Sequence, residues 1–281
     1  MIVIGSRGSQ LALWQARHIA SKLHAAGVET RLEIIKTTGD KITDVPLAQV
    51  GGKGLFTKEI EEALLDKRID LAVHSLKDMP AELPTGLTLA AIPEREDPRD
   101  ALIGGPLKDG ARVGTSSLRR TVQLKAMHRN ISIEMLRGNL DTRLRKLDDG
   151  QYDTIILAAA GLRRLGWADR IAELVPVEVM IPAVGQGALA IETREDGGEA
   201  HRIAQTLNHA TSRTAVTAER AFLAVFGGGC QVPIGAHATV NGAEVHMRAF
   251  VSEPDGSNVK RGEQAGMDPI AVGQELARRL L

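Results

Sequence analysis

The sequence is poor in aromatic residues and carries no net charge, and both shortages argue against a nucleic-acid partner. Aromatic residues make up 2% of the 281 residues, too few for the stacking platforms on which unpaired bases are usually bound. The formal net charge is +0, so the protein as a whole lacks the positive field that attracts DNA or RNA. We therefore expect no nucleic-acid partner.

Long apolar runs and cysteine pairs are also missing. No stretch approaches the roughly 20 apolar residues of a membrane helix, and the first residues do not follow the basic-then-apolar order of a signal peptide. The one cysteine, Cys230, cannot form an internal disulfide, and the histidines are too scattered to suggest a metal site. These features predict a cytoplasmic protein without a membrane partner, in a reducing compartment where a free thiol persists.

The thiol of Cys230 lies in a glycine-rich loop, residues 226–235 (FGGGCQVPIG). Three preceding glycines give the backbone access to positive φ and leave no side chain over the sulfur, so the loop presents the thiol. A presented thiol can be a nucleophile, a redox sensor or the attachment point of a prosthetic group. A tight turn that happens to contain a small residue fits the loop equally well, and nothing within the loop chooses among these.

The pattern of the chain predicts two α/β lobes and a smaller α+β domain. A length of 281 residues favours two or three domains, and short apolar runs alternate with amphipathic helices up to residue 200. A charged, proline-bounded stretch, residues 93–100, is interpreted as a first crossover between the lobes. Residues 176–182 with the glycine-rich residues 184–188 are interpreted as a second crossover. The predicted domains are residues 1–93 plus 188–205, residues 94–187, and residues 206–281.

Two glycine-containing segments fail the tests for nucleotide-binding loops. Residues 5–9 (GSRGS) lack the G-x-G-x-x-G spacing. Around the Gly-Lys pair at 52–53, Leu47 and Gly54 replace the first glycine and the Ser/Thr of a P-loop. Residues 5–9 instead place hydroxyls, backbone amides and the Arg7 guanidinium before a helix that Ser9 can cap, an arrangement suited to an anion.

Arginines recur where predicted strands lead into helices, the edge at which α/β sheets bind ligands. Five arginines fall at such junctions: Arg119, Arg120, Arg137, Arg143 and Arg164. A single one would be explained as a surface charge, but five predict a ligand with several anionic groups, since guanidinium groups bind carboxylates and phosphates bidentately. The turn at residues 74–78 is placed for chemistry in the same way, although a solvated Lys-Asp pair also fits it.

Eight segments, in their order and spacing, resemble the porphobilinogen deaminase family, also called hydroxymethylbilane synthases. Among them are AVHSLKD, GTSSLRR and GGCQVPIG. The segments are residues 7–16, 50–56, 72–78, 94–100, 114–120, 136–139, 182–187 and 228–235. Their number makes the resemblance specific, and it runs from Ile4 to the C-terminal helix.

The resemblance implies a fold and an activity. The first two domains would be lobes of the type II periplasmic-binding-protein kind, and a dipyrromethane cofactor would be attached to Cys230 through a thioether. The family is a transferase of tetrapyrrole (haem) biosynthesis. It builds its own cofactor from substrate, adds four porphobilinogen units with loss of ammonia, and releases linear hydroxymethylbilane. The implied partner is the small-molecule substrate, and the chain would be a monomer.

The resemblance also assigns residues one by one, with Asp78 as the catalytic carboxylate. Cofactor contacts, besides covalent Cys230, are implied for Ser9, Lys77, Asp78, Thr115, Ser116, Ser117, Arg119, Arg120, Arg137 and Gly138. Substrate contacts are implied for Arg7, Phe56, Arg143 and Arg164. Asp40 and Phe56 correspond to a mobile loop near the cleft. Gly8 and Gln10 depart from the family pattern without removing a functional group.

The chemistry of such a ligand agrees with the arginines. Porphobilinogen carries two carboxylates, so a chain of up to six rings is a dense polyanion. Loss of the aminomethyl ammonium leaves a cationic azafulvene, which a carboxylate in hydrogen-bond reach, Asp78, could stabilise. The residues alone also leave open a two-lobed protein that captures a polycarboxylate without chemistry. A cysteine acyl transferase is a further alternative, but no motif supplies a paired His and carboxylate.

Overall fold

The computed structural model describes residues 1–41, 54–128, 130–227 and 232–281. These residues form three β-sheets with helices packed against them. The helices, in chain order, are α1 (Gln10–Ala25), α2 (Thr38–Lys41), α3 (Lys58–Leu65), α4 (Leu118–Met127), α5 (Leu140–Asp148), α6 (Ala159–Arg164), α7 (Glu199–Gln205), α8 (Ala210–Val225) and α9 (Pro269–Leu280). No helix in the described ranges is long and apolar enough to cross a membrane.

The first sheet mixes strands from distant parts of the chain. Its strands are β1 (Ile2–Ser6), β2 (Thr30–Ile34), β3 (Leu71–Ser75), β4 (Leu87–Ala91) and β10 (Leu189–Arg194), in the order β2-β1-β3-β10-β4. β1 is parallel to β2 and β3, whereas β10 is antiparallel to both of its neighbours. α1 packs into the apolar core on this sheet through Ile19 and Leu23, and α3 into a second core through Ile60 and Leu64.

The second sheet repeats this arrangement. Its strands are β5 (Asp100–Gly104), β6 (Arg112–Gly114), β7 (Ser132–Glu134), β8 (Thr154–Ala158) and β9 (Glu173–Val175), in the order β7-β6-β8-β5-β9. β6 is parallel to β7 and β8, and β5 is antiparallel to β8 and β9. In both sheets three parallel strands are followed by one antiparallel strand and then an edge strand. The second unit therefore has the topology of the first.

The third sheet is smaller and antiparallel, in the order β11 (Ile234–Asn241), β12 (Glu244–Val251), β13 (Lys260–Gly266). α8 and α9 join its apolar core through residues such as Phe222 and Leu276. The two helices touch closely at Gly273, where any side chain would collide with the Ala218 carbonyl oxygen. The fold thus consists of two α/β units of one topology and a smaller α+β unit, which is the fold class that the sequence predicts.

Several elements differ from the sequence predictions for physical reasons. Asp100 is charged and reads as part of the first crossover, yet it begins β5, because buried arginines neutralise it. His74 belongs to β3 although the sequence suggests a turn there, since it pairs with Glu192 on β10 at 3.0 Å. β13 contains two glycines and no apolar alternation, so it carries no strand signal; pairing with β12 makes it a strand. The patterns also miss β9 and α7.

One buried carboxylate attaches the third unit to both crossovers. Glu219 on α8 is 0% exposed. It accepts hydrogen bonds from Arg95 of the first crossover at 2.6 and 3.2 Å, from the Gly185 N–H of the second crossover at 2.7 Å, and from the Ala238 N–H of β11 at 2.9 Å. Because a buried charge that loses its partner is strongly destabilising, this contact holds the unit that carries Cys230 against the two lobes.

Candidate active site

A short turn after β3 presents Lys77 and Asp78. The turn is a 3-10 helix, Leu76–Asp78, whose first residue is buried. The Leu76 N–H donates to the Ala188 carbonyl of the second crossover at 3.0 Å. Gly185 of the same crossover has φ +70, and a Cβ there would lie 2.7 Å from Leu76 Cγ, so glycine lets the crossover pass beneath the turn. The second crossover thus holds the turn in place, while the side chains of Lys77 and Asp78 are exposed.

Lys77, on the first lobe, lies within reach of charges on the second. Its side chain is solvent-accessible, but the surrounding protein desolvates the ammonium and lowers the pKa of Lys77 to about 8. Arg120 and Arg119 of the opposite lobe lower that pKa further, whereas Asp78 and Asp100 oppose the shift. Asp78 is also exposed, and its carboxylate makes no hydrogen bond within the described part of the chain, so it is available to a ligand.

Arg119 and Arg120 are buried and share the Asp100 carboxylate. Arg119 Nη1 donates to Asp100 Oδ2 at 2.7 Å, and Arg120 donates to Oδ1 from Nη2 at 2.7 Å and from Nε at 3.0 Å. Burial alone would raise the pKa of Asp100, but the charges and hydrogen bonds of the two arginines outweigh it and hold that pKa well below its usual range. Both arginines therefore neutralise the buried Asp100 carboxylate, in addition to any ligand that they bind.

Arg137 and Arg143 bring further positive charge to Asp78. Desolvation lowers the pKa of Arg143 to about 10; Arg120 and Arg137 add to the shift and Asp78 opposes it. Arg143 Nε donates to the Gly138 carbonyl at 2.8 Å. Arg137 Nη1 is buried, and no described residue accepts its hydrogen bond. An unsatisfied buried donor costs on the order of 1–3 kcal/mol, so this nitrogen calls for an acceptor from a ligand.

Arg164 is tied to the second crossover. It is buried, and its Nη2 donates to the Gly187 carbonyl at 2.6 Å. Desolvation lowers the pKa of Arg164 to about 10, with Glu96 opposing. Arg164, which is predicted to bind substrate, is therefore held by a backbone carbonyl of the second crossover.

The predicted hydroxyl contacts divide into two kinds. Ser9 and Ser117 accept N–H bonds at the starts of α1 and α4, each at 3.4 Å, and Thr115 accepts from the Ser117 N–H at 3.2 Å. As acceptors, these three keep their own O–H for donation to a carboxylate. Ser116 instead donates to the Leu136 carbonyl at 2.7 Å, which leaves it only acceptor capacity. Ser116 is therefore the hydroxyl least suited to an anion.

Gly138 can only be glycine in this backbone. Its φ is +112, and a Cβ there would lie 2.6 Å from Thr142 Cγ2. Glycine at 138 therefore permits the turn that places the Arg137 side chain before α5.

Arg7 and Phe56 meet in the first lobe. The Arg7 guanidinium carbon lies 4.1 Å from the centre of the Phe56 ring, a cation–π contact. The Gly39 N–H donates to the Leu55 carbonyl at 2.7 Å, so the segments on either side of residues 42–53 contact each other. The prediction of a mobile loop falls largely on residues 42–53, which, like the Asp40 side chain, lie outside the described residues.

Cys230 also lies outside the described residues, together with its neighbours 228, 229 and 231. The described chain reaches Gly227 on one side and resumes at Val232 on the other. Beyond it, the Ala236 N–H donates to the Pro182 carbonyl at 2.9 Å, which attaches the start of β11 to the second crossover. Among the described residues no group of three or more His, Cys, Asp or Glu could hold a metal ion.

Two family models match the chain. One, described as porphobilinogen deaminase, dipyromethane cofactor binding domain, matches residues 2–202; the other, porphobilinogen deaminase, C-terminal domain, matches residues 213–281. The chain belongs to the porphobilinogen deaminase family. Curated relatives of that name include one from Brevibacillus brevis, 51% identical over 287 residues (99% of this chain, 93% of the relative), and one from Roseiflexus sp., 52% identical over 290 residues (100% and 95%).

Solved structures similar to this porphobilinogen deaminase family member are more distant. A periplasmic substrate-binding protein of an ABC transporter from Coxiella burnetii is 12% identical with a TM-score of 0.46, covering 78% of this chain and 97% of that one. The second substrate-binding domain of GlnP from Lactococcus lactis is 9% identical with a TM-score of 0.42, covering 80% and 90%.

Sequence reasoning missed three residues that organise the site: Asp100, Gln186 and Glu219. Asp100 and Gln186 end up 2.9 Å apart although 86 positions separate them in the chain. Both lie in segments that resemble family motifs, which was the available signal. Their pairing could not be read from the sequence, since no local pattern encodes a contact over that separation.

Proposed function

We propose that the protein joins four porphobilinogen molecules into hydroxymethylbilane with release of ammonia, primed by a dipyrromethane on Cys230. The observation that carries the proposal is the setting of Asp78, an exposed carboxylate whose charge acts on both Lys77 and Arg143. Three more cations act on these same two groups: Arg119, Arg120 and Arg137. An acid beside two cations, with three more cations acting on those two, suits a substrate that brings carboxylates and forms a cation.

The described residues fit a dipyrromethane. Such a group carries several carboxylates, and the buried Nη1 of Arg137 has no acceptor among the described residues. The residues that would hold it are Lys77, Arg119, Arg120, Arg137, the Gly138 turn, and the hydroxyls of Ser9, Thr115 and Ser117. When bound, the dipyrromethane supplies the pyrrole carbon to which the first substrate is joined.

Asp78 would act on the substrate. When ammonia leaves porphobilinogen it takes the C–N bonding pair, so the remaining pyrrole is a cation. A fixed carboxylate beside the pyrrole N–H lowers the energy of that cation. When a second pyrrole carbon forms the new C–C bond to the cation, that carbon must lose its proton to become aromatic again, and the carboxylate could accept this proton. The buried Leu76, which fixes the turn, and the exposure of the Asp78 carboxylate support this role.

The remaining predicted residues would bind the incoming carboxylates. Arg143 lies close enough to Asp78 for their charges to interact, which supports a substrate-binding role. Arg7, held against Phe56, and Arg164, held against the second crossover, would bind substrate at either end of the cleft.

We also propose the domain boundaries given by the sequence: residues 1–93 plus 188–205, 94–187, and 206–281. The return of β10 to the first sheet supports the discontinuous first domain. The chain would act as a monomer. It would work in the cytoplasm, because a thioether can form only where the Cys230 thiol stays reduced.

The direct test is the stoichiometry of the reaction. Incubation with porphobilinogen is expected to release four ammonia molecules for each linear tetrapyrrole formed. A two-lobed binding protein without chemistry would bind porphobilinogen and release none, and that result would overturn the proposed function.

The pH dependence of cofactor loading should report Lys77. With a pKa of about 8, Lys77 is charged below that pH and loses its charge above it, so the rate at which cofactor-free protein takes up two pyrroles is expected to fall between pH 7 and 9. Lys77→Arg should remove this fall because its charge persists, and Lys77→Met should load slowly throughout. Identical pH profiles in wild type and Lys77→Met would exclude Lys77 as the titrating group.

Arg143→Leu is expected to weaken carboxylate binding, since a charge-assisted contact is worth roughly 1.5–3 kcal/mol. That predicts a KM for porphobilinogen raised by about 10- to 100-fold with little change in melting temperature. Arg145→Leu, an exposed arginine on the same helix, is the matched control and should leave KM unchanged. Equal effects from both variants, or a loss of stability that parallels the loss of activity, would contradict a binding role.

A further inference from the structure

Asp100 is the point at which the two crossovers meet. It ends the first crossover, and its side chain is 0% exposed. From the second crossover, Gln186 Nε2 donates to Asp100 Oδ1 at 2.9 Å and to the Pro98 carbonyl at 2.7 Å. The same carboxylate accepts from Arg119 and Arg120. One buried acid therefore joins both crossovers to two cations of the cleft.

Additional hydrogen bonds fix the two guanidinium groups. Arg119 Nη1 also donates to the Ile181 carbonyl at 2.7 Å, and Arg120 Nη1 donates to the Ile156 carbonyl at 3.1 Å. Gln123, on the same helix, bonds to both the N–H and the carbonyl of Ile181, at 2.9 and 3.1 Å. Neither arginine can turn without breaking bonds to the second crossover region or to β8.

Arg119 keeps donors for a ligand. Its Nε and Nη2 donate to no residue in the described ranges, and neither atom is fully buried. Because Nη1 is fixed, the N–H groups of Nε and Nη2 are held in one orientation. Donors that are already oriented bind a carboxylate without the entropic cost of ordering a flexible side chain.

We propose that Asp100 and Gln186 are positioning residues that hold Arg119 and Arg120 in the orientation that receives the cofactor's carboxylates. Through Gln186 this orientation depends on how the two crossovers set the lobes, so the relative position of the lobes and the direction of the arginines are coupled. The inference rests on the function proposed above. Neither residue touches the ligand; both act through the arginines.

The informative variant is Gln186→Met. Asp100→Asn leaves two buried cations without a counter-charge and can fail to fold. Gln186→Met keeps the Asp100–arginine pairs and the other bonds between the crossovers, and removes only the side-chain bonds to Asp100 and to the Pro98 carbonyl. Protein without cofactor comes from a host that makes no porphobilinogen. Melting temperatures of the cofactor-free and loaded forms, and the rate at which porphobilinogen adds two pyrroles by intact mass, are then compared with wild type.

We expect cofactor-free Gln186→Met to melt close to wild type, to load about tenfold more slowly, and to gain at least about 2 °C less on loading. Gln151→Met, at an exposed position of the same lobe, should match wild type throughout. Equal destabilisation of both forms with a wild-type loading rate would show a merely structural role and overturn the inference. Wild type that acquires no pyrroles would overturn the proposed function, and this inference with it.

Discussion

Asp78→Asn is expected to slow ammonia release from porphobilinogen by about 10²- to 10³-fold. The substitution keeps the size of the side chain and most of its hydrogen bonding but removes the charge that stabilises the cation left when ammonia departs. Loss of one preorganised electrostatic partner typically lowers the rate by about 10²- to 10³-fold. The variant should fold, because Asp78 is exposed and donates to or accepts from no described side chain. Porphobilinogen binding should change less, since the arginines provide most of it.

Single-turnover ammonia release from loaded enzyme separates these effects. Asp169→Asn is the matched control: Asp169 is an exposed carboxylate in another 3-10 turn, Ala168–Arg170, and should behave as wild type. A chemical step in Asp78→Asn within a few-fold of wild type would remove Asp78 from the mechanism and leave Lys77 or a bound water as the candidate.

Cys230→Ser is expected to abolish stable cofactor and, with it, turnover. A serine hydroxyl is a far weaker nucleophile than a thiolate toward the cation formed from porphobilinogen, so the thioether has no adequate substitute. The protein should still fold, since the contacts that attach the third unit run through Glu219 and the crossovers. A Cys230→Ser protein with normal turnover would show that the primer is attached elsewhere.

Much of the fold could be predicted because its signals are local. Ser9 and Asp268 cap helices as their residue types suggest, and the 3-10 turn before Met79 follows a buried strand. Edge elements were missed because their strand character comes from a partner: β13 is held by β12, and its sequence alone has no apolar face. Asn139 is of a residue type that favours helix starts, yet it precedes α5 without a side-chain capping bond.

The sequence predicts the candidate site as a set of residues, but not the bonds that those residues make. The charges of Arg119 and Arg120 act on Lys77, and those of Arg120 and Arg137 act on Arg143, as expected where the carboxyl ends of parallel strands share one edge. Arg164 instead bonds to the second crossover. That Arg119 and Arg120 would be buried on Asp100, or that Ser116 would donate its proton to a carbonyl, depends on contacts between distant segments. Such contacts exist only once the lobes are folded.

The intact mass of the purified protein tests the central claim most directly. Wild type expressed in a host that makes porphobilinogen should be heavier than its unmodified chain by two pyrrole units, with the added mass on the peptide that contains Cys230. Cys230→Ser should have the mass of the unmodified chain. Folded wild type that remains unmodified after incubation with porphobilinogen, or a two-pyrrole group found on the Cys230→Ser protein, would contradict the account.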